Sequence, residues 1–327
     1  MERPVMHVMQ KLIHGLAAAL PLFALAACGG DEADPAARSL DAAIADSGAP
    51  IEGTSFRGTP LVRNPVDEAR RQSIEAEIEA LEGQDTLSEE DYILLGRRYI
   101  QANRFRDAVD LYSRGLEAWP DSFRLRRHRG HRYLNLRQLD LAIADLEEAV
   151  ELIGGVYGDV LEYNDAGAAT ATYEHWVWYH IGLYHYLNED WEQAAEAYQK
   201  CVDTAISNQN RVGATDWLYN ALMQAGRRDD AQAAIDKIAP DLETNREHPY
   251  FKRVMLYKGE LSPDDLLDTN KPIGDWTGYD ITVGYGIGNW SRFNNDPATA
   301  DDIQQKILET PFWNAWAYVV TDREASR

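Results

Sequence analysis

Between residues 97 and 137 the chain carries eleven arginines against four acids, Asp107, Asp110, Glu117 and Asp121. A guanidinium holds a carboxylate through two parallel hydrogen bonds, so such a cluster suits capture of an acidic peptide or a chain-end carboxylate. The same arginines could instead pair with acids of neighbouring helices and only solubilise the surface. Three histidines, His175, His180 and His185, recur every five residues. A shared helical face needs a spacing of four, and no H-E-x-x-H accompanies them, so no metal site is expected. The string Gly284-x-Gly286-x-Gly288 lacks a strand–turn–helix setting and reads as close helix packing rather than a phosphate loop. Asp264-Asp265 follow Ser262-Pro263, a helix start, where acids offset the helix dipole. Asp301-Asp302 read as a solvated helix face, and Cys201 as a buried thiol. The aromatic run Trp176, Trp178, Tyr179, Tyr184 and Tyr186 admits two readings, core packing or a stacking platform for cell-wall glycan. No Ser/His/Asp arrangement, convincing carboxylate pair or cofactor loop is present, so the reading is of a protein that is not an enzyme and uses no cofactor.

Around these residues lie 327 positions with 45% apolar and 26% charged side chains, enough to bury a sizeable core. Lys and Arg number 32 against 54 Asp and Glu, a net charge of −22, which argues against a nucleic-acid partner. Two cysteines exclude a disulfide scaffold and a four-thiolate zinc site.

A period of 34 residues sets the expected architecture. Gly96, Tyr99, Ala108, Tyr112 and Gly115 recur 34 positions on as Gly130, Tyr133, Ala142, Leu146 and Ala149. The spacing returns as Gly182, His185, Ala194, Tyr198 and Cys201, after one period plus an 18-residue insertion. A weaker copy runs Leu218-Tyr219, Leu222, Ala231, Ile235, Ile238 and Pro240, and Gly288, Ala300 and Ile307 allow a fifth. These residues resemble the tetratricopeptide (TPR) repeat, a 34-residue helix–turn–helix with small residues where its helices cross. The resemblance implies an all-α solenoid, because each helix pair leaves an apolar face that only a neighbouring pair covers.

The same resemblance places positions 2, 5, 9, 12 and 13 of each first helix on a concave groove. Across three repeats these include Arg97, then Arg124, Arg127, His131 and Asn135, then Trp176, Tyr179 and Tyr186. A groove basic at one end and aromatic at the other suits a protein or peptide with an acidic and an apolar anchor. The expected function is therefore a non-catalytic protein-binding scaffold or adaptor, with a glycan-contacting or structural envelope protein as the alternative.

The amino terminus reads as an export signal. Arg3 and Lys11 precede an apolar stretch, Leu12–Ala27, too short to span a bilayer comfortably. It ends Leu25-Ala26-Ala27-Cys28, which resembles a bacterial lipobox and implies lipidation of Cys28. Gly29 after the cysteine implies sorting to the outer membrane, facing the periplasm. The carboxy-terminal stretches 256–261 and 283–290, with Phe312-Trp313, resemble bacterial TPR lipoproteins. The expected organisation is a signal peptide over 1–27, a lipidated flexible tether over 28–64 and a leading helix over 65–88. TPR repeats follow over 89–240, with an insertion at about 155–172, and TPR-like or capping helices over 241–327. The tether expectation rests on five Gly and three Pro sharing residues 29–64 with one aromatic, Phe56.

Overall fold

The computed structural model describes residues 48–327. The chain enters through an antiparallel hairpin, β1 (Ile51–Thr54) and β2 (Pro60–Val62), then turns into α1 (Glu68–Glu82), started by the Asp67 side chain. Helix pairs follow: α2 (Glu89–Gln101) with α3 (Phe105–Ala118), and α4 (Phe123–Asn135) with α5 (Leu139–Ile153). A second hairpin, β3 (Leu161–Tyr163) and β4 (Ala169–Thr172), fills the insertion. Then come α6 (Tyr173–Asn188) with α7 (Trp191–Asp203), and α8 (Asn208–Gln224) with α9 (Arg228–Asp236). The carboxy-terminal part holds α10 (Pro249–Tyr257), the single turn α11 (Pro263–Leu266), the packed pair α12 (Gly278–Phe293) and α13 (Pro297–Leu308), and α14 (Trp316–Glu324). The result is an all-α solenoid with two small hairpins.

Local chemistry repeats with the period. The first helix of every pair begins at a hydroxyl cap: Ser88, Ser122, Thr172, Ser207 and Thr277 each accept the backbone N–H three residues on. Each first helix ends in the same tight turn. Asn103, Arg137, Glu189, Gly226 and Asn295 all take positive φ, between 57° and 77°. In each case the next residue's N–H reaches the carbonyl five positions back, from Arg104 to Tyr99, Gln138 to Tyr133, Asp190 to His185, Arg227 to Leu222 and Asp296 to Ser291. Those bonds satisfy carbonyls orphaned at the helix end and reverse the chain. Because α12 and α13 share both the cap and the turn, this pair is built like the four before it.

Helix crossings explain the periodic small residues. A Cβ on Gly96 would lie 2.3 Å from the Tyr112 ring, one on Gly130 3.0 Å from Leu146, and one on Gly182 2.8 Å from Tyr198. In all three the partner sits 16 residues on, across the pair. Gly96→Ala is expected to destabilise the protein by about 1–3 kcal/mol through this overlap. Urea unfolding should show it, and an unchanged midpoint would remove the crossing argument. Gly286 serves the carboxy-terminal part likewise, its hydrogen lying where a Cβ would meet Arg253 at 2.4 Å. Arg253 is itself buried and reaches Asp216 at 2.7 Å.

The tether expectation needs correction over residues 51–62. Composition there is poor in apolar area, yet the hairpin is ordered by partners far along the chain. Leu61 joins the main core, and buried Glu52 receives Arg63 at 2.6 Å and the Arg106 backbone N–H at 2.9 Å. The Phe56 N–H and the Arg57 guanidinium both donate to Asp322, each at 3.0 Å, and Trp313 Nε1 donates to the Val62 carbonyl at 2.7 Å. Ordering by contacts some 250 residues away leaves no trace in local composition. Cys28, the apolar leader and residues 29–47 of the expected tether lie outside the described residues.

Candidate functional site

Because the first helices of successive pairs lie side by side, residues one period apart meet on a common inner surface. There a cavity of about 560 Å³ is walled by α2 (Arg97, Ile100, Gln101), α4 (Arg127, His128, His131, Arg132), α6 (His175, Trp176, Tyr179, His180) and the start of α8. Two elements close it. Glu162 of β3 enters from one side, and Trp316 of α14 packs on His131 and His180 with ring centroids 5.0 and 5.8 Å away. The β3–β4 hairpin is fixed in place by Arg98 and Gln101 on Asp165, at 2.6 and 2.9 Å, and by Asn210 on the Thr170 carbonyl at 2.9 Å.

The wall is cationic. Arg97 and Arg127 share the one carboxylate, Glu162, each at 3.2 Å. The Arg132 side chain makes no ion pair or hydrogen bond among the described residues; its guanidinium lies over the Phe105 ring at 5.8 Å. Burial pulls its pKa down to about 10. Histidine protonation can be assigned from partners. Arg127 Nη1 can only donate, so His128 Nδ1, 3.0 Å away, accepts and the proton sits on Nε2. Neither that Nε2–H nor Arg127 Nε has a hydrogen-bond partner, and both are buried. His180 and His175 donate from Nδ1 to the carbonyls of Trp176 (2.5 Å) and Cys201 (2.9 Å). Burial, reinforced by the neighbouring guanidinium groups, holds His128 and His180 well below the usual imidazole range, and burial brings His175 down to about 4.

Five of the eight groove positions meet at the cavity: Arg97, Arg127, His131, Trp176 and Tyr179. The other three do not. Arg124 is turned to Glu89, Glu90 and the Tyr173 hydroxyl. Asn135 is buried, donating to the Asn314 carbonyl at 2.9 Å, and the Tyr186 hydroxyl lies 3.0 Å from that of Tyr285. The carboxy-terminal part therefore covers the far half of the inner face, so the cavity is a pocket where an open groove was expected. Several other arginines follow the solubilising alternative, pairing across helices: Arg98 with Glu77, Arg104 with Glu75, Arg126 with Glu148 and Arg129 with Asp145. The glycan platform is also not formed, since Tyr179 and Tyr186 are buried and Lys200 covers the Trp178 ring at 3.8 Å.

His128, Arg132, Glu162 and Trp316 escape the register argument. Two lie at other helical positions, one in the insertion and one beyond the regular repeats. A usable signal was the spacing of acids in the insertion, Asp159, Glu162 and Asp165, three residues apart and opposite in charge to the arginine cluster.

One family comparison bears on this geometry. The model of the tetratricopeptide repeat matches residues 128–154, from the middle of α4 to the end of α5. The chain contains a tetratricopeptide repeat. No curated protein matches it. Helical repeats of this kind generally form non-catalytic protein-interaction folds. A Cys–His contact does occur, Cys201 Sγ lying 3.5 Å from His175 Nδ1. It is not an activated nucleophile, because burial pushes the thiol up and the imidazole down, leaving both neutral.

Among the described residues no helix is long and apolar enough to cross a membrane.

Proposed function

We propose that this protein is a non-catalytic binding scaffold of the bacterial cell envelope, held by lipid on Cys28 to the outer membrane and facing the periplasm. Its partner is a protein or peptide segment carrying an acidic and an apolar anchor, taken up at the inner-face cavity. One observation carries the reading. Concave positions from three successive repeats bring a basic wall (Arg97, Arg127) and an aromatic wall (Trp176, Tyr179) to a single opening. The cavity is within the size range of ligand sites but far too small for a folded domain, so it accepts a protruding side chain or chain end. The lipobox-like Leu25–Cys28 and the segment between it and Ile51 support attachment at a distance from the bilayer.

Two measurements test this. Wild-type protein should sediment with membranes, and Cys28→Ser should remain in the soluble envelope fraction; identical fractionation would overturn the anchor. Cross-linking in the soluble version should capture a defined partner, and Trp176→Ala should reduce its yield with helix content unchanged. Equal capture by both would move the partner site elsewhere.

A further inference from the structure

We infer that the cavity binds an organic anion, an oxyanion head (carboxylate or phosphate) on a flat apolar body. The inference deepens the scaffold reading by naming what enters the cavity, and it can succeed or fail separately from partner capture.

Charge comes first. Three guanidinium groups stand on the wall with one carboxylate, and Glu162 is already shared by Arg97 and Arg127. Asp165, outside the cavity, reaches Arg97 at 3.7 Å and also serves Arg98. Arg132 makes no direct ion pair among the described residues and feels Glu162 only at longer range. Arg132 is half-buried, and a guanidinium drawn part-way out of water without an ion-pair partner is costly, a cost that a bound anion would offset. The supply of donors points the same way. The His128 Nε2–H and Arg127 Nε lack acceptors, although both belong to residues that are more than nine-tenths buried. No carboxylate other than Glu162 lies on the wall to satisfy them.

Shape supplies the rest of the ligand. Beyond the arginines the lining turns aromatic, with Trp176 below Arg127 and Trp316 tilted against His131 and edge-on to His180. Flat π-surfaces of this kind favour a planar body. The cavity volume of about 560 Å³ suits one ring system with its head group rather than a peptide strand.

The experiment is calorimetric titration of the full-length protein with phenyl phosphate, benzoate, neutral benzamide, and a short peptide ending in Phe as free acid or amide. Phenyl phosphate or benzoate should bind and benzamide should not. Arg132→Gln should weaken the binding at least tenfold, the effect of removing one charged hydrogen bond. In the absence of ligand the same variant should melt no lower than wild type, because it removes an unpaired charge. A merely structural role for Arg132 predicts the opposite. Binding of the free-acid peptide alone would support the anion and place its source on a protein chain end. Binding of the small anions alone would support it with a free metabolite as the source. Equal binding of benzamide, no binding by any probe, or undiminished binding to Arg132→Gln would each overturn the inference. Anion binding without partner capture would instead count against the scaffold.

Discussion

Acidification from pH 7 to pH 5 is expected to remove about 6 kcal/mol of folding stability through three buried imidazoles alone. His128, His175 and His180 are 5%, 1% and 1% exposed and neutral in the fold. Arg97, Arg124, Arg127 and Arg132 face His128; Arg127, Arg132 and His175 face His180; and Arg127 faces His175. Every one of these neighbours opposes a further positive charge. The unfolded chain has no such restraint and takes up protons below about pH 6.5. The unfolded state then binds more protons than the native one. Stability is therefore full above that pH and falls as pH drops toward the depressed native values, near 4 for His175. Each imidazole contributes about 2 kcal/mol of loss by pH 5. Asp216 and Glu324 act in the other direction, since burial raises both carboxyls, Asp216 to about 7. A difference measurement separates the two. In urea unfolding at pH 6 and pH 5, His180→Gln should show a slope shallower than wild type by about 1.4 kcal/mol per pH unit. Parallel slopes would show that His180 is protonated in the native state. Anion binding in the cavity should itself reduce the wild-type loss, because it supplies the missing negative charge.

The second large effect concerns Asp322, which fastens the first hairpin and the α4–α5 turn to α14. Its fully buried carboxylate accepts from the Phe56 N–H and Arg57 of the first hairpin and from Arg137 in the α4–α5 turn. Arg137, with a side chain only 3% exposed, also donates to the carbonyls of Asn135 and Trp313 but has no other carboxylate among the described residues. Asp322→Ala is expected to cost about 3–5 kcal/mol, because it strands a buried guanidinium without its counter-ion. Residues 51–62 and 311–324 should lose hydrogen-exchange protection together, and the cavity should lose the wall that Trp316 provides. Loss confined to one segment would refute the coupling. Adding Arg137→Met should recover much of the stability, since the double replacement leaves no unpaired charge in the core.

The sequence alone determined the solenoid. Gly96, Gly130 and Gly182 mark the helix crossings, because crossing distance is set within a single repeat. The register carried by those glycines also named five residues of the cavity, since stacked repeats bring equivalent positions to one face. Tertiary structure decided how that face is used. Glu162 comes from a hairpin with no place in the period, Trp316 from a helix 140 residues beyond Trp176, and the 51–62 hairpin is ordered by Asp322. Whether the face stays an open groove or closes into a charged pocket depends on packing among segments remote in the chain. Local periodicity records only neighbours, so the counter-ions, the lid and the unpaired Arg132 become visible only when those segments meet.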